Sequence, residues 1–124
     1  MKEQVVVNYI EAQLKAKARY YINVHGSTYS QNGTPDFITQ DKDGIFVGIE
    51  AKAPKKTPVI NQWRHAIKIL SSGGRFIVGQ EDFDINKMDD GKLPKVAIGN
   101  ELGESEFDAR ALKITKTSEV ILKK

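Results

Sequence analysis

The sequence contains no cysteine, only two histidines and no long apolar run. The absence of cysteine excludes disulfide frameworks, zinc–thiolate sites, iron–sulfur clusters and thiol nucleophiles. Two histidines, His25 and His65, are too few for a three-histidine site in one chain, so a metal would have to be a hard cation held by oxygen. No apolar stretch approaches the roughly 20 residues of a membrane-spanning helix, and the first residues do not resemble a signal peptide. We therefore expect a cytoplasmic protein without membrane association.

The length and charge indicate one globular domain with a basic N-terminal part. The chain has 124 residues, 40% of them hydrophobic and 28% charged, which is typical of a single core. Residues 1–79 contain 11 basic and 6 acidic residues, whereas residues 80–124 contain 8 and 10. The first two thirds should therefore attract polyanions such as DNA, although the same excess also serves solubility.

Hydrophobic periodicity predicts an α/β domain. Apolar residues recur every three or four positions over residues 3–21, which indicates an amphipathic helix. A second helix is predicted with Thr57 as N-cap and Pro58 in its first turn, ending before Gly73. Predicted strands are residues 35–39 and 45–53, joined in a hairpin, and 75–79, with weaker candidates at 96–98, 111–114 and 119–122. We expect a central mixed sheet with helices on both faces, and an irregular or short helical connection over residues 80–95.

The predicted hairpin brings two acidic residues together. If Asp43 lies at the centre of the turn, Asp36 faces Glu50 across the ladder, and Lys52 lies on the same face as Glu50. At about 4 Å and an effective dielectric near 20, the repulsion between two carboxylates is about 4 kcal/mol. Such a pair needs a cation or a shared proton. Lys52 supplies one positive charge against two negative charges, whereas a divalent ion supplies two. Asp36 and Glu50 are therefore predicted metal ligands, with the main-chain carbonyl of Ala51 within reach.

A lysine beside a carboxylate-held metal indicates phosphodiester hydrolysis. Magnesium is the natural ion for an all-oxygen site, and manganese should substitute for it. Lys52 could then contact a phosphate oxygen or activate the attacking water. The alternative is an interaction or structural domain in which Asp36 is a turn residue and the hairpin face is merely solvated. His25 is predicted to be structural.

The order of several short motifs resembles a known nuclease family. Pro35-Asp36 is followed by Glu50-Ala51-Lys52, which resembles the PD-(D/E)XK nuclease superfamily. The matches to its VRR-NUC branch, a group of small phage nucleases and a DNA-repair nuclease domain, are His25-Gly26-Ser27, Gly33, Ala53-Pro54, Thr57-Pro58, Gln62 and Gly73-Gly74. The resemblance spans roughly residues 4–79. It implies a restriction-endonuclease-like αβββαβ core, a magnesium-dependent endonuclease acting on DNA and, for a phage-encoded protein, the host cytoplasm.

The resemblance also implies roles for individual residues. Asp36 and Glu50 would bind the metal, and Lys52 would position or activate the water. Gln62 would support the site from the following helix, and Glu11 on the first helix would be a further acid near the metal. Both Gln62 and Glu11 also fit ordinary surface positions. Candidate contacts to the DNA backbone are Ser27, Tyr29, Lys55, Lys56 and Arg64.

The remainder of the chain leaves several questions open. Residues 1–79 are predicted to form the nuclease core, and residues 80–124 an extension that completes the same domain. Paired cuts, as in a four-way junction, require two active sites, so we expect a homodimer, with this extension as a candidate interface. Selectivity for a four-way junction or a flap is one option, and no small-molecule cofactor is expected. The main alternative is a catalytically inactive nucleic-acid-binding module of the same fold.

Overall fold

The structure, a computed structural model, describes residues 2–26, 33–56 and 58–90. The weaker strand candidates beyond residue 90 lie outside this part. Its elements are α1 (Glu3–Ala16), β1 (Ile22–Asn23), β2 (Phe37–Gln40), β3 (Phe46–Ala51), α2 (Ile60–Ser71), β4 (Arg75–Gly79) and α3 (Ile85–Asp89). None of the helices in these ranges is long and apolar enough to cross a membrane.

Four strands form a mixed sheet in the order β1-β2-β3-β4. The first three are antiparallel, and β3 and β4 are parallel. In the hairpin Ile38 pairs with Gly48 and Gln40 with Phe46, so the predicted register is confirmed. Asp41 fixes the turn because its Oδ1 accepts hydrogen bonds from the backbone N–H groups of Asp43 and Ile45. The predicted α/β class with a mixed sheet and flanking helices is confirmed.

The two long helices cover opposite faces of the sheet. A Cβ on Gly79 would lie 2.6 Å from Ile10 of α1, whereas a Cβ on Gly48 would lie 3.0 Å from Ile69 of α2. Each helix therefore approaches the sheet closely at one of these two glycines. Since side chains alternate along β3, Glu50 lies on the same face as Gly48, the α2 face, and Ile49 lies on the α1 face.

The core follows the predicted apolar pattern. Helix α1 buries Val6, Val7, Ile10 and Leu14. The sheet contributes Phe37, Val47 and Ile49, and Trp63 of α2 packs on Phe76 with ring centroids 5.7 Å apart. Burying each such side chain contributes about 1.5–3 kcal/mol.

Helix α1 ends earlier than its periodicity predicts. Its last residue is Ala16, and Ala18 has a φ of 50°, a left-handed conformation that stops the helix. The chain then forms the short strand β1, which pairs with β2 through Ile22 and Asn23. The prediction of helix up to residue 21 was therefore wrong at its C-terminal end. The apolar pattern continues to Tyr21 because this side chain packs on the core from the residue just before β1 rather than from a helix.

Residues 80–90 belong to the same hydrophobic core as residues 1–79. Phe83 is 1% exposed and Met88 is fully buried. Arg75 also ties α3 to the hairpin, because its Nη1 donates to Met88 O and to Asp41 Oδ2. The hydrophobic core therefore extends past residue 79, where the resemblance to the nuclease family ends.

Candidate metal centre

Asp36 and Glu50 lie at neighbouring strand ends. Asp36 directly precedes β2, and Glu50 is the fifth residue of β3. Both residues are buried, with 8% and 2% of their surfaces exposed. The hairpin register, continued by one residue, places them opposite each other, as the sequence predicts.

The carboxylate of Asp36 is held from two sides. Its Oδ2 accepts a hydrogen bond from Ala51 N–H at 2.8 Å. Its Oδ1 lies 2.7 Å from His25 Nδ1, which donates when the carboxylate is ionised. An extended residue directs its N–H and C=O towards the same neighbour, so we infer that the Ala51 carbonyl also faces the edge where Asp36 lies.

Among the residues of the site, Glu50 has the most strongly shifted pKa. Its Oε2 accepts a hydrogen bond from Gln62 Nε2 at 2.8 Å and lies 3.7 Å from Lys52 Nζ. When Glu50 is ionised, its buried Oε1 accepts no hydrogen bond from the described residues. Burial, the charge of Asp36 and a hydrogen bond between the protonated carboxyl and Asp36 together raise the pKa of Glu50 to about 9, although Lys52 acts in the opposite direction.

Lys52 reaches the site from the end of β3. Its backbone N–H donates to Gly79 O at 2.9 Å, which continues the pairing of β3 with β4 beyond Ala51. Its side chain is only 12% exposed. Because Lys52 Nζ lies 3.7 Å from Glu50 Oε2, the predicted placement of Lys52 on the face of Glu50 is confirmed.

Gln62 contacts Glu50 from the first turn of α2. Its Oε1 accepts a hydrogen bond from Val59 N–H at 2.8 Å. The helix begins at Ile60, two residues later than predicted, so this side chain satisfies an N–H just before the first turn. Thr57, the predicted N-cap, lies outside the described residues.

Gly33 allows the segment before Asp36 to approach α2. It has a φ of 89°, and a Cβ there would lie 2.5 Å from Asn61 O. A side chain would therefore collide with the backbone of α2. This is a physical reason for the glycine in the Gly-x-Pro-Asp motif.

The acid that α1 contributes to the site is Glu3 rather than Glu11. Ligand atoms of Glu3, His25 and Asp36 lie within 4.8 Å of one another. Glu11 is not in this group, and it instead accepts hydrogen bonds from Tyr21 and Asn23, which lower its pKa. The resemblance implied an acid on the first helix, and the structure brings a different turn of that helix to the sheet end.

His25 is in contact with the site, although it was predicted to be structural. Its only sequence signal was its place in His25-Gly26-Ser27, ahead of Pro35-Asp36. The backbone N–H of His25 donates to Asn23 Oδ1 at 2.9 Å, and Asn23 lies in β1. The unpredicted strand β1 is therefore what directs His25 towards Asp36.

The predicted DNA contacts are only partly described. Lys55, Lys56 and Arg64 are exposed, on the loop after β3 and on α2. Gln80 Nε2 donates to Ala53 O and Lys56 O and so holds this loop against β4. Ser27 and Tyr29 lie outside the described residues.

The donor set fits a divalent cation. Three carboxylates converge, those of Glu3, Asp36 and Glu50, and Lys52 Nζ lies 3.7 Å from Glu50 Oε2. A buried carboxylate oxygen without a partner is unfavourable, and a cation would satisfy it.

Comparison of the chain with protein-family models, curated proteins and solved structures finds no match.

Proposed function

We propose that this protein is a metal-dependent endonuclease that hydrolyses phosphodiester bonds of DNA, with a PD-(D/E)XK-like active site. The observation that carries the proposal is the state of Glu50. Its side chain is 3% exposed, and when it is ionised its Oε1 accepts no hydrogen bond from the described residues and its charge is repelled by the neighbouring Asp36 carboxylate. Such a group is unfavourable in a purely structural role and favourable as a cation ligand.

The predicted ligands fit a hard cation. Glu50 Oε1, an oxygen of Asp36 and the Ala51 carbonyl supply the all-oxygen coordination that Mg²⁺ or Mn²⁺ accepts, with water in the other positions. Gln62 limits the movement of Glu50, and Ala51 N–H limits that of Asp36. The carboxylates are thus held in place before a cation arrives.

The chain's own residues then provide the parts of a hydrolysis reaction. When bound, the cation would stabilise negative charge that develops on the phosphate. Lys52 Nζ carries a positive charge beside Glu50, where it can hold the attacking water or a phosphate oxygen. Positive charge on the loop after β3 and on α2 comes from three exposed side chains that can contact the DNA backbone, those of Lys55, Lys56 and Arg64. We include a homodimer in the proposal, because paired cuts in a four-way junction require two such sites.

A cleavage assay tests this proposal. Labelled four-way junction, flap, linear duplex and single-stranded DNA, with an RNA control, are incubated with the protein in EDTA, Mg²⁺ or Mn²⁺. We expect cleavage of DNA only with a metal. The variants Asp36→Asn, Glu50→Gln and Lys52→Met should each lose at least about 100-fold in rate, whereas Glu81→Gln, which changes an exposed acid outside the predicted ligand set, should match the wild type. Full activity of Glu50→Gln would refute the assignment.

The same assay separates the enzyme from an inactive binding module. A module of that kind would shift labelled DNA in a gel and leave it intact with every metal. Binding should weaken steeply with salt in both cases, so salt dependence alone does not discriminate. Neither cleavage nor a shift would indicate an interaction domain.

A further inference from the structure

The sheet face on which α2 packs is covered by that helix on one half only. We propose that residues 111–122 of the same chain pack on the other half, which we call the open apolar surface. This surface is formed by Ile22, Ile38, Phe46 and Ile69. The inference goes beyond the proposed nuclease activity and does not depend on it.

The strand register places these residues on one face. Ile22 pairs with Ile38, and Ile38 pairs with Gly48, so the three positions share a face of the sheet. Phe46 lies two residues before Gly48 on β3 and therefore faces the same way. A Cβ on Gly48 would lie 3.0 Å from Ile69, so this is the face on which α2 packs. The four apolar side chains thus extend from β1 to α2.

The open apolar surface is only partly buried. Helix α2 packs on β3 and β4. On its open side, Ile22 and Phe46 keep 45% and 43% of their surfaces exposed, and Ile38 is half-buried. A mostly apolar groove of about 320 Å³ adjoins them and is lined by Phe46, Lys68, Ile69, Ser72 and Gly74. Neighbouring exposed apolar side chains beside a groove favour a docking surface over scattered surface residues.

The described chain ends near this surface. Asp90 Oδ1 lies 3.4 Å from Lys42 Nζ in the hairpin turn, and β3 begins at Phe46, close after that turn. Residues 91–110 can span up to about 70 Å. Residues 111–122 can therefore pass around the turn and reach the open apolar surface while α3 stays in place.

The composition of residues 111–122 suits this surface. Their apolar side chains are Ala111, Leu112, Ile114, Val120, Ile121 and Leu122. Packing of these side chains on Ile22 and Phe46 removes apolar area of both partners from water. Because the segment belongs to the same chain, its effective concentration at the surface is on the order of millimolar. A second copy of the chain at a lower concentration would compete poorly, so we assign the surface to residues 111–122.

Paramagnetic broadening of NMR signals tests this assignment in the full-length protein. Because the sequence contains no cysteine, Ser118→Cys carries a single nitroxide label. We expect the label to broaden the amide signals of Ile22, Ile38 and Phe46 in the same chain, relative to the reduced, diamagnetic label. The amide signal of Val5, on α1 across the sheet, should be broadened less. Absence of this selective broadening would overturn the proposal.

Isotope mixing distinguishes the chain's own segment from a second copy. An ¹⁵N-labelled chain without the nitroxide is mixed with an unlabelled chain that carries it. We expect no broadening at the open apolar surface in this mixture. Broadening of the Ile22 and Phe46 signals there would assign the surface to a second copy and overturn the proposal.

A thiol-reactivity measurement uses matched variants of the segment. Ser72→Cys places a thiol at the groove, and its reaction rate with a maleimide is measured alone and together with Ile121→Asp or Thr117→Asp. We expect Ile121→Asp to raise the rate by at least about tenfold, since a charge in an apolar contact favours the undocked state. Thr117→Asp should leave the rate unchanged. Equal rates with and without Ile121→Asp would overturn the proposal.

A second thiol position controls for unfolding and general reactivity. Glu81→Cys places a thiol at an exposed position outside the groove lining, and Ile121→Asp should leave its rate unchanged. Neither DNA nor metal takes part in these measurements. A negative result would therefore overturn this inference and leave the proposed nuclease activity untouched.

Discussion

The side-chain amide of Gln62 links the start of α2 to the carboxylate of Glu50. Its Oε1 accepts from Val59 N–H, and its Nε2 donates to Glu50 Oε2, both at 2.8 Å. Because the backbone N–H of Val59 can only donate, the amide oxygen of Gln62 must face it, and the NH₂ group must face Glu50. The backbone of one helix turn therefore fixes which oxygen of Glu50 is occupied and leaves Oε1 for another ligand.

Replacing Gln62 should weaken both stability and activity. In Gln62→Ala, Val59 N–H and Glu50 each lose a partner, so we expect the free energy of unfolding to fall by about 1–3 kcal/mol. Because Gln62 positions Glu50, a proposed metal ligand, its loss should lower the cleavage rate by about 10–100-fold. Urea denaturation and a cleavage assay measure these effects, with Asn61→Ala as the neighbouring control. Equal cleavage rates for Gln62→Ala and the wild type would mean that the amide does not position Glu50.

The metal-free protein should lose stability as the pH rises. The pKa of Glu50 is about 9 in the folded state against a usual value of 4.5, so between these values the folded state binds more protons than the unfolded state. The contribution of Glu50 to the free energy of unfolding therefore decreases as the pH rises from about 4.5 to about 9. Urea denaturation in EDTA at several pH values measures it. Glu50→Gln should lack this component, and identical pH profiles for the two proteins would contradict the assignment.

Bound metal should remove this loss of stability at high pH. A cation binds the ionised form of Glu50, so binding releases a proton, and the affinity should rise by up to about tenfold per pH unit below pH 9. We expect Mg²⁺ or Mn²⁺ to raise the melting temperature of the wild type more at pH 8 than at pH 6. Thermal denaturation with and without metal measures this shift. A shift that is the same in Glu50→Gln would place the ion elsewhere.

Lys52 should be required for cleavage but not for metal binding. The variant Lys52→Met keeps most of the side-chain volume and removes the positive charge 3.7 Å from Glu50. We expect cleavage to fall by about 10²–10⁴-fold. Mn²⁺ affinity, measured by calorimetry, should stay equal or increase because a competing positive charge is gone. Loss of both together would indicate that Lys52 holds the fold of the site instead.

Residues 80–90 should be needed for stability. Phe83 is 1% exposed in the common core, whereas Val59 is 57% exposed. Phe83→Ala should lower the free energy of unfolding by about 3–5 kcal/mol, and Val59→Ala by less than about 0.5 kcal/mol. Urea denaturation compares the two variants. A small effect at Phe83 would show that the core ends near residue 79.

The hairpin was predictable because local rules determine it. An Asp-Gly turn sets its centre, and the alternation of Phe37, Val47 and Ile49 sets its register. Together they were sufficient to place Asp36, Glu50 and Lys52 in one site. Each of these steps depends only on residues close in sequence.

The missed parts of the site depend on contacts between distant segments. Glu3 and Glu11 are eight residues apart on one helix, about 12 Å along its axis. Periodicity determines the face of α1 but not which turn lies beside the end of β3. The end of α1 at Ala16 depends on β1 pairing with β2, and this pairing also places His25 beside Asp36.

The most direct measurement of the central claim is a crystal structure of the protein soaked in Mn²⁺, with anomalous scattering to locate the ion. We expect an anomalous peak about 2.2 Å from Glu50 Oε1 and in contact with Asp36. A well-ordered site in which Glu50 Oε1 is within bonding distance of no ion would contradict the claim, as would Asp36 and Glu50 on opposite faces of the sheet.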